Sequence, residues 1–168
     1  MEFRQAVLQD LEQLKLMYRK VIRNMDENQI SIWDDIYPCE FLEDDIRNHR
    51  LWLMLERAEP VSAFALCDRD GGENRVEWEK RSVKALYMDR FGVSPEYGGR
   101  GIGDRMLVKA KTEAKALGAE YLRLFVVDIN RPAIGFYEKH GFTKAKGVYD
   151  MAIDEELTLR EYGYEIKL

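Results

Sequence analysis

The order of apolar and polar positions divides the first 50 residues into a strand and two helices. Residues 2–8 fit a short edge strand, and Asp10 is a candidate cap for a helix with one apolar stripe. Residues 40–50 predict a second, acidic helix. The positions predicted to face the core are Leu11, Leu14, Met17, Tyr18, Val21 and Ile22 in the first helix, and Phe41, Leu42 and Ile46 in the second.

The pattern then changes to strands. Residues 51–57 and 61–67 predict a hairpin with a tight turn at Ala58–Pro60. Residues 68–80 are polar and predict a loop. Residues 83–93 alternate loosely between apolar and polar side chains, which predicts a longer strand.

The second half of the chain alternates between helices and strands. Residues 101–118 predict a strong helix that ends at Gly118, and residues 131–140 predict a shorter one that ends at Gly141. Between them, residues 121–128 are mostly apolar, which is typical of a central, covered strand. Two final strands are expected at 142–148 and 160–168. This order predicts an α/β (α+β) fold, with helices on the faces of a mixed sheet.

Composition narrows the class of protein. The 168 residues fit one domain spanning 1–168, and they are 46% hydrophobic and 34% charged. The net charge of −5 disfavours a dedicated nucleic-acid binder, which usually carries a basic stripe. No apolar run approaches the roughly 20 residues that span a bilayer, so we expect a cytoplasmic protein without a membrane partner.

Metal and disulfide chemistry are not expected. Cys39 and Cys67 are too few for a disulfide framework and too isolated for a metal site, so both are expected to be reduced thiols. His49 and His140 have no partner at metal-ligand spacing. The sequence therefore predicts no bound metal.

Four glycines fall within six residues of the stretch YGGRGIGDRML, residues 97–107. The cluster lies between a predicted strand and a predicted helix, where free N–H groups and the helix dipole favour an anion. The stretch lacks the Lys-Ser or Lys-Thr of a P-loop, and its glycine spacing and late position do not fit a dinucleotide fingerprint. On the glycines alone, a turn needed only for close packing remains open.

The stretch NRPAIGFYEKHGF, residues 130–142, supplies the second motif. Taken alone, Asn130 reads as a helix cap and Tyr137 as a half-buried aromatic anchor. Together, PEYGGRGIG and NRPAIGFYEKHGF resemble the two motifs of the GNAT-type N-acetyltransferase superfamily, [QR]-x-x-G-x-[GA] and N-x-x-A-x-x-x-Y-x-K-x-G-F. The matched region runs from about Val83 to Phe142.

The resemblance implies a GNAT-like, mostly antiparallel sheet of six to seven strands with about four helices. It implies that acetyl-CoA is the acyl donor and that Tyr137 is the general acid for the departing thiolate. It implies a cofactor site made of Phe91, Gly92, Val93, Gly98, Gly99, Arg100, Gly101, Ile102, Gly103, Asp104, Asn130, Ala133 and Tyr137. Tyrosine and a thiol have ordinary pKa values near 10 and 8.5, so this proton transfer is well matched.

One residue departs from the first motif. The position that the superfamily usually fills with Gln or Arg is Gly98 in this chain. A side-chain contribution to holding the pyrophosphate is therefore missing. Because backbone amides make most of the expected site, cofactor binding is still expected, with help from Arg100.

The acceptor side is less clearly marked. Asp89 is the first candidate for the general base and also for acceptor binding; Glu79, Glu77 or ordered water are the alternatives. Asp89 could instead be a solvated carboxylate or pair with Arg90 or Arg81. Trp33 and Tyr37 are candidates for lining the acceptor pocket, or for packing a loop onto the core. The acidic residues Asp34, Asp35, Glu43, Asp44 and Asp45 would favour a cationic amine, but they also fit a solvated helix face.

The sequence thus predicts an N-acetyltransferase that acts on a primary amine of a small molecule, peptide or protein. Direct attack within a ternary complex is favoured, because neither cysteine lies in a motif. An enzyme for a longer acyl donor and a CoA-responsive sensor without catalysis remain alternatives. The protein is expected to be a monomer or a homodimer.

Overall fold

A computed structural model describes residues 1–168, which form four helices and eight strands. The helices are α1 (Leu11–Glu27), α2 (Leu42–Arg47), α3 (Ile102–Ala116) and α4 (Arg131–Lys139). The strands are β1 (Glu2–Gln5), β2 (Leu51–Glu56), β3 (Glu59–Cys67), β4 (Ala85–Val93), β5 (Tyr121–Val127), β6 (Thr143–Lys144), β7 (Tyr149–Ala152) and β8 (Thr158–Lys167). None of the helices is both long and apolar enough to cross a membrane.

The chain forms two compact units, and β4 contributes residues to each. Unit 1 comprises residues 1–66 and 88–112, and unit 2 comprises residues 67–87 and 113–168. The expectation of a single domain stays a prediction.

Unit 1 places strands β1, β2, β3 and the end of β4 side by side in that order. Strand β2 pairs antiparallel with β1 and with β3. The apolar stripe of α1 is buried as predicted, except that Leu11 is only half-buried. Tyr18 on this stripe is fully buried, and its hydroxyl donates to the carbonyl of Arg90 at 2.5 Å.

The second helix differs from its prediction at Phe41. This residue was expected to face the core, but it is 47% exposed because it ends a short 3-10 turn, Cys39–Phe41, ahead of α2. Leu42 and Ile46 are buried as predicted. Between them α2 buries a carboxylate, Asp45, whose side chain is only 1% exposed.

The hairpin turn lies one residue earlier than predicted. Arg57 and Ala58 both adopt positive φ angles, +50° and +66°, and β3 already begins at Glu59. A two-residue turn with positive φ at both positions matches the twist of the flanking strands, so it closes the hairpin. Pro60 therefore belongs to a strand and not to the turn.

Asp10 does not cap α1 with its side chain, in contrast to the prediction. Its carboxylate accepts a hydrogen bond from the amide of Val7 at 2.8 Å. It also accepts two hydrogen bonds from the guanidinium of Arg4, at 2.7 and 2.8 Å. The side-chain hydrogen bond from Arg4 lowers the pKa of Asp10 below its ordinary value, although burial opposes this shift.

We predict that Arg4→Met lowers the melting temperature at pH 7 by about 2 °C, as expected for the loss of a partly exposed ion pair worth up to about 1 kcal/mol. A carboxylate whose folded-state pKa is depressed contributes stability above its unfolded pKa and loses it as the pH falls through the folded value. The difference between wild type and variant should therefore shrink below about pH 4. Thermal unfolding followed at pH 7 and pH 3 checks this, and a constant difference would contradict it.

Unit 2 is built around β5 and β8. The start of β4 pairs parallel with β5 over Ala85–Tyr87, β5 pairs antiparallel with β8, and β6 and β7 both pair antiparallel with β8. The end of the chain thus contains three strands, and not the predicted two. Gly118 and Gly141 follow α3 and α4 with φ angles of +86° and +84°, which fits their predicted roles as helix ends.

The eight strands form one mixed, mostly antiparallel sheet, so the predicted fold class is confirmed with one or two more strands than expected. Only the β4–β5 pair is parallel among the strand pairs described above.

Candidate active site

Three aromatic side chains of unit 1 form a wall between α1 and α2. Trp33 packs on the buried ring of Tyr18 with 5.9 Å between ring centroids and on Tyr37 with 6.1 Å. Tyr37 in turn meets Phe41 edge-on at 5.3 Å. Trp33 and Tyr37 are half-buried and Phe41 is exposed, so the wall combines fixed rings with a surface that a ligand can reach.

Asp89 on β4 lies against this wall. One of its carboxylate oxygens accepts a hydrogen bond from the Tyr37 hydroxyl at 2.7 Å. Burial raises the pKa of the Tyr37 hydroxyl well above its ordinary value, and the charge of Asp89 raises it further. Tyr37 therefore stays protonated near neutral pH, as its donor role requires.

Arg90 provides the other contacts to Asp89. Its amide donates to the same carboxylate oxygen as Tyr37 at 2.7 Å, and its guanidinium donates to the second oxygen at 2.9 Å. The salt bridge to Arg90, which the sequence left as an alternative, is thus present. The Asp89 side chain remains 34% exposed, so the paired carboxylate can still meet a ligand.

The end of β4 is closely packed at Gly92. Its carbonyl accepts a hydrogen bond from the Ser62 hydroxyl at 2.7 Å, and a Cβ atom at this position would lie 3.1 Å from the Tyr18 ring. The ladder between β4 and β5 ends at Tyr87, so the segment that includes Phe91 and Val93 lies beyond it. A strand segment beyond a ladder can offer backbone groups to an extended ligand.

The glycine loop opens α3 with a conformation that fits an anion site. Gly99 and Gly101 have φ angles of +71° and +69°, which side chains with a Cβ atom rarely adopt. A Cβ atom on Gly99 would meet nothing within 4 Å, so it would point into open space. The Arg105 amide donates to the Gly101 carbonyl at 3.1 Å, and the helical amides before it lie in the first turn, whose N–H groups lack intrahelical acceptors.

These features fit the binding of a phosphate-like anion. Positive φ at alternate glycines turns successive amides toward one side, as in anion-binding nests. The positive end of the 15-residue helix adds to the attraction, and Ile102, which begins the helix, is buried and anchors the turn. Gly103 and Asp104 complete the first turn of this helix.

Gly98 does not share the glycine-only geometry. Its φ and ψ angles of −56° and 145° are open to any residue, and a Cβ atom would lie 3.2 Å from the carbonyl oxygen of Pro95. Arg100, expected to help with the anion, holds its guanidinium 5.0 Å from the centre of the Tyr97 ring. The cation within the loop therefore stacks on an aromatic ring.

In unit 2, Asn130 directly precedes α4 and Tyr137 lies within it. The Asn130 side chain caps the helix and accepts from the amide of Ala133 at 3.2 Å. Tyr137 is buried, and its ring packs edge-on against Phe136 and Phe142 at 5.5 and 5.6 Å. The motif residues are therefore held in fixed positions at the end of β5 and on the helix that follows.

Glu77 and Glu79 lie elsewhere in unit 2. They line a cavity of about 590 Å³ that also includes Tyr121, the first residue of β5. Burial raises the pKa of Tyr121, and the adjacent Glu79 raises it further. With seven residues at about 3.3 Å each, β5 separates this end from the Asn130 end by roughly 20 Å.

Sequence reasoning missed the roles of Arg90, Asp45 and Phe41. Asp45 belongs to an acidic run that looks solvated, but it pairs with Arg90 in the interior. Arg90 has a φ angle of +53°, which no alternation pattern in a strand indicates. In the sequence, the only indication of a role for Arg90 is its position next to Asp89.

Comparison with known proteins agrees with both motifs. A sequence model of the acetyltransferase (GNAT) family matches residues 12–142. Thialysine N-epsilon-acetyltransferase of Bos taurus is 36% identical over 73 residues, which are 42% of this chain and 41% of that protein. Mycothiol acetyltransferase of Corynebacterium glutamicum is 42% identical over 75 residues, which are 45% of this chain and 25% of the relative. The chain thus matches less than half the length of these curated relatives.

Solved structures share the fold at low sequence identity. A GNAT-family acetyltransferase of Streptococcus agalactiae has a TM-score of 0.77 and 17% identity, covering 99% of this chain and 95% of that one. The PaiA N-acetyltransferase of Thermoplasma acidophilum, solved with coenzyme A, has a TM-score of 0.69 and 22% identity, covering 99% and 98%. Because the family model covers most of the sequence, this chain belongs to the GNAT family of acetyltransferases.

Proposed function

We propose that this protein is an acetyl-CoA-dependent N-acetyltransferase that acetylates a primary amine by direct attack in a ternary complex. The observation that carries the proposal is the loop at Gly99 and Gly101, whose positive φ angles suit an anion-binding turn at the start of α3. Family membership adds acetyl-CoA, the donor that the GNAT family uses, as the ligand with the matching pyrophosphate. When bound, acetyl-CoA supplies an acetyl group activated as a thioester.

The donor would be held by backbone groups along two stretches. The amides of Gly99 to Asp104 would bind the pyrophosphate, and Phe91, Gly92 and Val93 would pair with the pantetheine arm. Asn130 and Ala133 would contact the donor nearer to the thioester. These roles follow the family motifs.

Tyr137 would act as general acid. Its ring is fixed by Phe136 and Phe142, which limits the positions open to the hydroxyl. The amine nitrogen attacks the thioester carbon, the carbon–sulfur bond breaks, and the sulfur receives the tyrosine proton. The acceptor amine loses its own proton to a base.

Asp89 or ordered water would be that base, and Asp89 would in either case face the acceptor. Its carboxylate accepts three hydrogen bonds and keeps a third of its side chain exposed, which suits binding of an ammonium group. Glu77 and Glu79 are less suitable, because they lie at the opposite end of β5 from Asn130.

The acceptor would be a cationic amine next to an apolar group. Trp33, Tyr37 and Phe41 offer aromatic surface beside the carboxylate of Asp89. One relative is named thialysine N-epsilon-acetyltransferase, so thialysine is the first amine to include in a substrate screen. A longer acyl donor, or a CoA sensor without catalysis, is the alternative.

Two measurements test the proposal. Thermal shift with acetyl-CoA, CoA and longer acyl-CoAs ranks the donors, and release of CoA thiol is then followed against a panel of amines. We expect stabilisation by acetyl-CoA and thiol release that depends on the amine. Stabilisation without turnover on any amine would favour the sensor, and preference for a longer acyl-CoA would overturn the choice of donor.

A further inference from the structure

Arg90 is the most heavily bonded residue of the acceptor side, and the sequence assigns it no function. It lies in β4 with a left-handed φ of +53°, a conformation that costs free energy for a residue with a side chain. Its side chain is only 6% exposed. The unfavourable backbone conformation and the burial of a positive charge both cost free energy, so contacts of Arg90 must compensate for them.

Those contacts join Arg90 to two carboxylates. The guanidinium meets both oxygens of Asp45 on α2: it donates to one oxygen at 2.9 Å and lies 2.6 Å from the other in a salt bridge. Its remaining terminal nitrogen donates to Asp89 at 2.9 Å. The planar arginine fork can make both contacts at once, and the single ammonium of a lysine cannot reproduce them.

The backbone of Arg90 takes part as well. Its amide donates to Asp89 at 2.7 Å, and its carbonyl accepts from the Tyr18 hydroxyl at 2.5 Å. The left-handed φ accompanies this arrangement, in which the amide and the guanidinium of one residue hold the two oxygens of the neighbouring carboxylate. Arg90 thereby fixes both the position and the rotation of the Asp89 carboxylate.

The guanidinium also contacts the aromatic wall. Its central carbon lies 5.9 Å from the centre of the Tyr37 ring and 5.8 Å from that of Phe41. The Tyr37 hydroxyl donates to the same Asp89 oxygen as the Arg90 amide, at 2.7 Å. The carboxylate is thus held between a fixed arginine and a fixed phenol, and one side of it remains open to solvent.

We propose that Arg90 is a positioning residue for the acceptor amine, acting through Asp89 and Tyr37 and anchored by Asp45. This inference rests on the proposed acetyltransferase function. A carboxylate held in one orientation binds an ammonium group without first losing rotational freedom, and places the nitrogen in one position. Without Arg90, Asp89 would rotate, and the amine would be bound weakly and in several orientations.

The test must separate this role from simple stabilisation. Removing Arg90 alone would leave the buried Asp45 carboxylate with Arg50 as its one remaining cationic partner, and losing half of a buried ion-pair network is strongly destabilising. The double variant Asp45→Leu with Arg90→Met removes both charges together, a change that folded proteins often tolerate. Arg50→Met is the matched control, because Arg50 pairs with Asp45 and with Asp44 on the more exposed side of α2.

Four quantities are measured for wild type and each variant: melting temperature, Kd for acetyl-CoA, and kcat and KM for the best amine of the panel. We expect the double variant to fold, to keep Kd for acetyl-CoA within about twofold, and to lose at least about tenfold in kcat/KM for the amine, mostly through KM. Arg50→Met should keep kcat/KM within about twofold. Arg90→Lys should fall between wild type and the double variant.

Asp89→Asn completes the test through non-additivity. Alone it should lower kcat/KM for the amine, but added to the double variant it should cost little more, because the same interaction is already lost. A folded double variant with wild-type kcat/KM, or an Asp89→Asn effect that is fully additive, would overturn the role of Arg90. Absence of wild-type turnover on every amine would instead overturn the proposed function, and the role of Arg90 with it.

Discussion

Replacing Tyr137 by phenylalanine should lower kcat by about 10²-fold and leave the Kd for acetyl-CoA within about twofold. The expected loss is that of a positioned general acid, which contributes about 10² to 10⁴ in rate. The variant removes only the hydroxyl. The ring contacts with Phe136 and Phe142 at 5.5 and 5.6 Å remain, so α4 should keep its packing.

The matched control for this experiment is Tyr162→Phe on β8. It removes a hydroxyl from the same unit and leaves the ring on which the Lys144 ammonium lies, 3.4 Å from its centre. We expect its kcat to equal that of wild type. The measurement is steady-state thiol release together with calorimetric titration of acetyl-CoA. Equal turnover in the Tyr137 variant and in wild type would remove the acid role from Tyr137.

Replacing Gly101 by valine should weaken CoA binding by at least about tenfold. Gly101 has a φ of +69°, which is strongly unfavourable for a β-branched residue. A Cβ atom there would contact only the Asp104 carboxylate, at 3.7 Å, so the loss would come from the backbone and not from a clash. The valine would shift the turn out of the left-handed region and turn the amides of the loop away from the anion.

Gly98→Ala is the control for the glycine loop. Gly98 has a φ of −56°, which alanine adopts freely, and the new Cβ would need only a small shift of the Pro95 carbonyl at 3.2 Å. We expect it to bind CoA within about twofold of wild type in a calorimetric titration, with the melting temperature of both variants recorded alongside. Wild-type affinity in the Gly101 variant would show that the loop does not hold the ligand.

Local sequence patterns predicted the parts of the molecule that local physics determines. The stripe of α1 follows a period of 3.6 residues, and Gly118 and Gly141 end helices with the positive φ that glycine favours. The two motif stretches identified the family because they carry several residues at fixed spacing. The site residues drawn from them stay predictions until binding and turnover are measured.

The misses have different physical causes. Asp10 was expected to cap a helix, but its carboxylate accepts hydrogen bonds from the guanidinium of Arg4, six residues earlier, and from the amide of Val7. Strand β7 has only four residues, and all of them are half-buried or exposed, so the strand lacks a clear alternation of apolar and polar side chains. Arg90 depends on Asp45, 45 residues away in sequence, and on a backbone conformation that a strand pattern does not encode. Such long-range contacts become visible only in three dimensions.

The absence of a side chain at Gly98 has a consequence for how the acyl donor would be recognised. A mobile cationic side chain attracts phosphate through a full charge, which dissolved salt screens effectively at an exposed surface. Backbone amides around Gly99 and Gly101 would attract it through partial charges at hydrogen-bond distance, where little solvent or salt would intervene. Because the Arg100 guanidinium rests on the Tyr97 ring and backbone amides would supply most of the attraction, donor affinity should change little with ionic strength. A protein with this loop would keep its affinity for the acyl donor when the salt concentration of its surroundings rises.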